Sequence, residues 1–320
     1  MDKATDFISL SEKYDDKNKK QELICLYQAA FYAQKHKDTF LLNSINNKIS
    51  EICAEGYDVP GTSIVILSFN TLDYTKQCLE SVKETVPLDR CQIVVVDNAS
   101  SDGSLEYLRT LDWITLVENK ENRGFPGGCN DGINVSFPEN DIYLLNSDTI
   151  LPKNALFWLK MGLYSSENVG SCGSISNNAP AGQTVNKKWE SVDEMISFAD
   201  QVNVPIDKSM ELRMFLIGFS VLIKRTVLEK TGLMDERFFP GNSEDIDISF
   251  RILKAGFVNV LCKNSFVIHF GNTSFKILHS HGVDFGELLF KNTKKLDEKL
   301  GFDGLAALRL IKNHAVKQIE

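Results

Sequence analysis

The sequence predicts an α/β fold, an open, Rossmann-like, mostly parallel central sheet flanked by helices, with helical extensions at both ends of the chain. Three observations predict it. Ile64-Val65-Ile66-Leu67 and Ile93-Val94-Val95-Val96 are continuous aliphatic runs, the pattern of strands covered on both faces. Stretches of helical character separate these runs, so strand and helix alternate and right-handed crossovers align the strands in parallel. Each run is followed by polar residues, which such an alignment gathers at one edge, where open α/β sheets hold their ligands.

Residues 1–60 form the first extension. A charged break at Asp15 to Lys20 precedes Leu23, Tyr27, Ala30 and Phe31, then Phe40, Leu41, Ile45 and Ile49, all at helical spacing. This predicts an amphipathic helical hairpin that packs on the main domain. The main domain occupies residues 61–275. Its first strand starts near Thr62 and is followed by Ser68 and Asn70; a crossover helix begins near Asp73 and carries Leu79 and Val82. The second strand ends at Asp97, and Asn98 to Ser104 reads as a turn with capping residues leading to a short helix through Leu105 and Leu108. A third strand, Ile114-Thr115-Leu116-Val117, precedes Asn119 and Asn122; a fourth, Asp141 to Leu145, is followed at once by Asn146-Ser147-Asp148. Met214 to Ile223 predicts a further buried strand. Residues 276–320 return to helix, with Phe285, Leu288, Leu289, Leu296 and Leu300 on one face and Leu305, Leu308, Leu310 and Ile311 on another. These helices are expected to cover the main domain or to form a homo-oligomer contact.

Composition narrows the function. A chain of 320 residues, 43% hydrophobic, is large enough for a substantial core, and a net charge of −8 argues against nucleic acid or an anionic membrane as an electrostatic partner. The longest apolar run, Phe215 to Ile223, is too short to span a bilayer, and no signal peptide is evident. The seven cysteines lack the spacing of a zinc site or a disulfide framework and are expected to be reduced. The expected location is the cytoplasm, at most peripheral at the inner face of a membrane.

The ligand-binding edge lacks a Gly-rich turn. Ser68-Phe69-Asn70-Thr71 after the first strand is neither a dinucleotide fingerprint nor a phosphate-binding P-loop, which argues against a dehydrogenase or P-loop kinase. Phosphate charge must be met otherwise. Asn146-Ser147-Asp148 offers oxygen donors for a divalent cation and, through it, a diphosphate, although the same residues also suit a strand-to-loop turn.

The combination of Ser63 to Asn70, Val94 to Gly103, Asn122-Arg123-Gly124-Phe125-Pro126-Gly127-Gly128-Cys129-Asn130, Leu144 to Asp148, and Asp235 to Phe239 through Glu244-Asp245-Ile246-Asp247 to Arg251 resembles the inverting family 2 glycosyltransferases of GT-A fold, rhamnosyltransferase-like branch. The resemblance covers roughly Thr62 to Ser274. It implies that Ser68 and Asn70 touch the nucleoside, that Asp97 accepts a hydrogen bond from the base, and that Asn98, Arg123, Asn130, Asn146, Ser147 and Asp148 complete a donor site. Gly124, Gly127 and Gly128 would bring a helix amino terminus close to phosphate. The metal motif of the family is often Asp-X-Asp, and Asn146 stands in its first position, so Asp148 is the direct ligand, with Asn146 and His269 as partners for Mn2+ or Mg2+.

The resemblance also assigns Asp245 as general base, with Glu244 orienting the acceptor. An acidic first turn also stabilises a helix, so Asp247, four residues before Arg251, is read as a structural ion pair. Trp189, beside the polar loop Ser176 to Gln183, is either a sugar platform bordering the acceptor or a packing anchor; Gly218 is a site of close sugar approach or a bulge; His279 and His281 lack partners for a second metal. The expected donor is a UDP-sugar, with dTDP-rhamnose as alternative. The acceptor would be a glycan, lipid-linked glycan or protein in cell-surface glycan biosynthesis. Two other readings are a sugar nucleotidyltransferase and a noncatalytic nucleotide- or glycan-binding scaffold.

Overall fold

In the computed structural model, which describes residues 1, 3–15, 17–271 and 284–301, the chain opens with three helices, α1 (Ala4–Ser11), α2 (Lys19–Lys35) and α3 (Thr39–Ala54). The charged break before Lys20 is a helix boundary, where Asn18 caps α2 by accepting the Gln21 N–H at 3.1 Å. The expected hairpin is therefore α2 and α3. It packs on the main domain, with Gln21 Nε2 donating to Met161 O at 2.8 Å and Asn18 Nδ2 to Tyr164 O at 2.9 Å.

The four expected strands form: β1 (Thr62–Ser68), β2 (Cys91–Asp97), β3 (Thr115–Glu118) and β4 (Asp141–Asn146). They pair in parallel in the order β3-β2-β1-β4, joined by α4 (Leu72–Thr85), α5 (Ser104–Leu108) and α6 (Gly124–Asn134). Alternation inside each aliphatic run splits its side chains between two layers. Ile64, Ile66, Ile93, Val95 and Tyr143 join one core with α4 and α2, while Val65, Val94, Val96 and Leu144 join a second beneath α6. Both faces are buried, which explains why these runs are apolar throughout.

Beyond β4 follow β5 (Thr149–Ile150), α7 (Ala155–Leu163), β6 (Val169–Ser176), α8 (Val192–Val202), β7 (Met210–Arg213), β8 (Ser220–Ile223), α9 (Arg225–Thr231), a 3-10 turn (Glu236–Phe238), α10 (Glu244–Lys254), β9 (Val258–His269) and α11 (Phe285–Leu300). Among the described residues the sheet has nine strands, in the order β3-β2-β1-β4-β8-β6-β9-β5, with β7 on β9. The expected strand Met214 to Ile223 is corrected: the segment divides into a loop and β8, which runs antiparallel between β4 and β6, while β7 pairs with β9. The loop turns away because Leu216 N–H donates to Ser249 Oγ, Ile217 N–H to Gln183 Oε1 and Gly218 N–H to Asp245 Oδ2. His279, His281 and Leu305 to Ile311 lie outside the described residues.

Close contact between α6 and the sheet depends on Gly128 and Gly132, one turn apart. A Cβ at Gly132 would collide with Val65 and press on Val96, and one at Gly128 would collide with Leu67. Gly132→Ala should destabilise the protein by about 1–3 kcal/mol through overpacking. Urea unfolding followed by circular dichroism measures this; an unchanged midpoint would mean that the helix moves aside at no cost.

Candidate active site

Strand pairing at the end of the sheet creates the centre of the site. β5 runs antiparallel to β9 with Thr149 opposite His269, so the residues just after β4 meet the last residue of β9. His269 Nε2 lies 3.3 Å from Asp148 Oδ1 and 3.4 Å from Asn146 Nδ2. The other ring nitrogen, Nδ1, is 2.7 Å from Asn178 O. A carbonyl can only accept, so this contact assigns a proton to Nδ1, and Nε2 is the nitrogen that faces Asp148 and Asn146. Phe219 stacks on the ring at 5.0 Å, and Asn177 exchanges two hydrogen bonds with the His269 backbone at 2.8 and 3.0 Å. The polar loop Ser176 to Gln183 thus orients His269 through Asn177 and Asn178.

A buried carboxylate, an imidazole nitrogen and an amide oxygen form a donor set suited to Mn2+ or Mg2+. Asn146 Oδ1 is buried and has no hydrogen-bond partner, an orphan that a cation would satisfy. Among the described residues no cluster of three or more His, Cys, Asp or Glu forms a metal cage. A cation held by two such residues and an amide would need further oxygens from a ligand.

Residues 218 and 219 connect this centre to the acidic pair. Phe219 O accepts the Asn146 N–H at 2.9 Å, and the preceding Gly218 donates its N–H to Asp245 Oδ2 at 3.0 Å. Gly218, read from sequence as a close-approach position or a bulge, instead supports Asp245. Asp245 Oδ1 accepts the Ile246 N–H at 2.8 Å. Glu244 is 6% exposed and its Oε2 has no partner. Burial, and then the neighbouring Asp245 charge, push the Glu244 carboxyl well above its ordinary range; burial also raises Asp245. Asp245, half-buried and served by the Gly218 and Ile246 backbone donors, is raised less than its neighbour Glu244. Asp247 pairs with Arg251 at 2.8 Å, as its spacing predicts.

At the other strand ends, Asp97 is fully buried, with Oδ2 accepting the Ser100 N–H at 3.0 Å and Oδ1 without a partner. Ser68 points inward; its hydroxyl is 3.1 Å from Thr75 Oγ1, from which a hydroxyl chain runs through Thr71 to Ser147. Asn70 ties the first loop to the second, its Oδ1 accepting the Ser101 N–H at 2.7 Å. Asn98 is saturated by its own chain, donating to Asn122 Oδ1 and Gly124 O and accepting from Asn119 Nδ2 and Arg123 N–H. Asn130 is likewise committed to Met234 and Glu236, and Arg123 is paired with Asp131 and Glu236, both at 3.0 Å. Asn98 and Asn130 thus shape this edge and leave little bonding capacity for a ligand, while Arg123 is 40% exposed.

The helix terminus expected to approach phosphate is occupied instead. Gly124 N–H donates to Asn122 Oδ1 at 2.8 Å and Phe125 N–H to Pro240 O at 2.7 Å. Trp189 is a packing anchor, lying against Phe198 at 5.1 Å and Phe266 at 5.6 Å. Sequence reasoning also missed Asn177, Asn178 and Phe219 as supports of His269; no motif marks them, because they reach it only through strand pairing. Cavities of about 40 and 230 Å³ lie away from this edge, against α2. Among the described residues, the buried side-chain oxygens with neither a hydrogen-bond nor an ion-pair partner are Asp97 Oδ1, Asn146 Oδ1 and Glu244 Oε2.

Comparison with known proteins gives a consistent picture. The family model for glycosyl transferase family 2 matches residues 63–232. A poly(ribitol-phosphate) beta-glucosyltransferase of Bacillus spizizenii is 32% identical over 112 residues, 33% of this chain and 17% of that protein. Glycosyltransferase AglE of Haloferax volcanii is 23% identical over 207 residues, 62% of this chain and 63% of that protein. The chain thus spans less than two thirds of either relative. The structure of a mannosyltransferase from Pyrobaculum calidifontis in complex with GDP-Man and Mn2+ superposes with a TM-score of 0.51 at 19% identity, covering 70% of this chain and 61% of that one, a likeness of GT-A fold. Asp245 and His269 lie beyond the stretch matched by the family model.

Proposed function

The chain belongs to glycosyl transferase family 2, and from that premise we propose that it is an inverting glycosyltransferase in which Asp245 is the general base and a nucleotide-activated sugar is the donor. The observation that carries the proposal is the placement of the three unpartnered oxygens, which fall on residues expected at the base-binding, metal and acceptor positions. Buried oxygens without partners are costly, and a ligand that satisfies them recovers that cost.

In this mechanism Asp97 Oδ1 accepts a hydrogen bond from the donor base. The acceptor hydroxyl gives its proton to Asp245 as its oxygen bonds to the anomeric carbon from the face opposite the leaving group. The bond from that carbon to the diphosphate oxygen breaks, and its electrons depart with the nucleoside diphosphate. Glu244, protonated, donates a hydrogen bond that orients the acceptor. Asp148, His269 and Asn146 would hold the divalent cation, which when bound neutralises charge on the departing diphosphate. The donor is a UDP-sugar, with dTDP-rhamnose as alternative, and the acceptor a glycan, lipid-linked glycan or protein. No helix among the described residues is long and apolar enough to cross a membrane.

A thermal-shift panel of UDP-, dTDP- and GDP-sugars, with and without Mn2+, tests this. The true donor at 100 times its Kd should stabilise the fold by about 2.7 kcal/mol with the metal, and by less without it. No shift from any sugar nucleotide would sink the proposal. A shift without turnover would favour a noncatalytic scaffold, and synthesis of a sugar nucleotide from a sugar phosphate and a nucleoside triphosphate would favour a nucleotidyltransferase.

A further inference from the structure

The turn that delivers Asp245 to the site is held from two sides. Between the 3-10 turn and α10, Asn242 and Ser243 have φ of 84° and 79°, the left-handed region that non-glycine residues avoid. Two neighbours constrain this segment. On one side, α6 presses against it: Phe125 N–H donates to Pro240 O, and a Cβ at Gly124 would lie 2.8 Å from Phe239 Cδ2 and 2.9 Å from Pro240 Cα.

On the other side stands α11. Asn292, with 0% exposure, directs Nδ2 at Phe238 O, Gly241 O and Asn242 O, at 3.0, 2.9 and 3.2 Å. Lys295 Nζ donates to Arg237 O at 2.6 Å and to Asn292 Oδ1 at 3.0 Å, holding the amide in that orientation. Lys299 Nζ lies 2.7 Å from Asp247 Oδ1, inside α10, and 2.7 Å from Asp235 Oδ2. Positions 292, 295 and 299 share one face of the helix, so a single rigid element grips both ends of the turn.

We propose that α11 is a strap that sets the position of the general base, and that Asn292 is a positioning residue of the transfer reaction. The proposal rests on the reading of Asp245 as base. Without the Asn292 donors, three carbonyls would lose their partner in a buried environment, and the turn would move to find water. Asp245 is the second residue of α10 and moves with it. Displacement of a reacting group by about 1 Å costs about 10²-fold in rate.

The experiment uses the full chain, Mn2+ and whichever donor of the UDP-, dTDP- and GDP-sugar panel is turned over, read as release of the nucleoside diphosphate. Asn292→Leu, similar in size but without donors, should lower kcat by about 10- to 100-fold. It should leave the donor Kd within about twofold, because the edge formed by Asp97 and Asp148 is untouched. Hydrogen exchange should rise at residues 238–243, and Asn292→Gln, which keeps an amide, should recover part of kcat. If Asp245→Asn is inactive while Asn292→Leu keeps wild-type kcat, the strap is refuted and the base reading stands. If Asp245→Asn is fully active, or no panel donor is turned over, the base reading fails and the strap with it. Should Asn292→Leu not fold, Lys295→Met carries the test: a kcat lowered several-fold at unchanged donor Kd supports the strap, and an unchanged kcat overturns it.

Discussion

Asp245→Asn should lower turnover by about 10²- to 10⁴-fold, the usual contribution of a positioned general base, while the donor binds as in the wild type. The isosteric amide retains oxygen and shape at Gly218 but cannot take the acceptor proton. Calorimetric titration of the donor beside steady-state kinetics separates the two effects; loss of donor binding in parallel with kcat would show that Asp245 serves the donor instead. The pH profile adds an independent check. Burial raises the Asp245 carboxyl, so it holds its proton to higher pH than an ordinary aspartate. A base must be ionised, so kcat falls as pH drops through that raised value, and the acid limb lies above the ordinary Asp value of about 3.9. Residual activity in Asp245→Asn should lack this limb. Burial holds the Glu244 carboxyl well above its ordinary range, so Glu244→Gln, a neutral side chain of the same size, should preserve most of the turnover that Asp245→Asn loses.

Asp148→Ala and His269→Ala should each weaken Mn2+-dependent donor binding by at least about 10- to 100-fold. Binding measured in chelator should change little, because the contact expected at Asp97 involves no metal. His269→Ala also removes the stacking partner of Phe219, so its melting temperature must be measured alongside. His269→Gln, which returns a polar side chain to the position, separates lost ligation from lost packing. Equal donor affinity with and without Mn2+ in the wild type would remove the metal from the mechanism.

The central sheet was legible because its signals are local. Aliphatic runs of strand length, each followed by Ser, Asn or Asp, mark both the strand and the edge where it ends, and β1 to β4 pair in parallel as expected. The Asp247 and Arg251 pair was legible for the same reason, since helical spacing of four residues is a local rule. Met214 to Ile223 misled because its composition suits a strand, whereas Gly218 is drawn out of the ladder by a carboxylate 27 residues away in sequence. By sequence, Gly124, Gly127 and Gly128 suggest room for phosphate. Gly124 and Gly128 in fact make room for Pro240 and Leu67, and Gly127 lies against Arg123.

By itself the amino-acid sequence determined the α/β class, the edge at which polar residues gather and the carboxylates capable of the chemistry, because hydrophobic periodicity and side-chain type are properties of neighbouring residues. The tertiary structure alone decided which of those polar groups remain available. Asn98 and Asn130 are saturated by partners from distant segments and Arg123 is ion-paired with Asp131 and Glu236, while Asp97, Asn146 and Glu244 each keep an unpaired oxygen. Whether a hydrogen-bonding group is satisfied depends on what folding brings beside it, and so does the grip of α11 on the turn before Asp245.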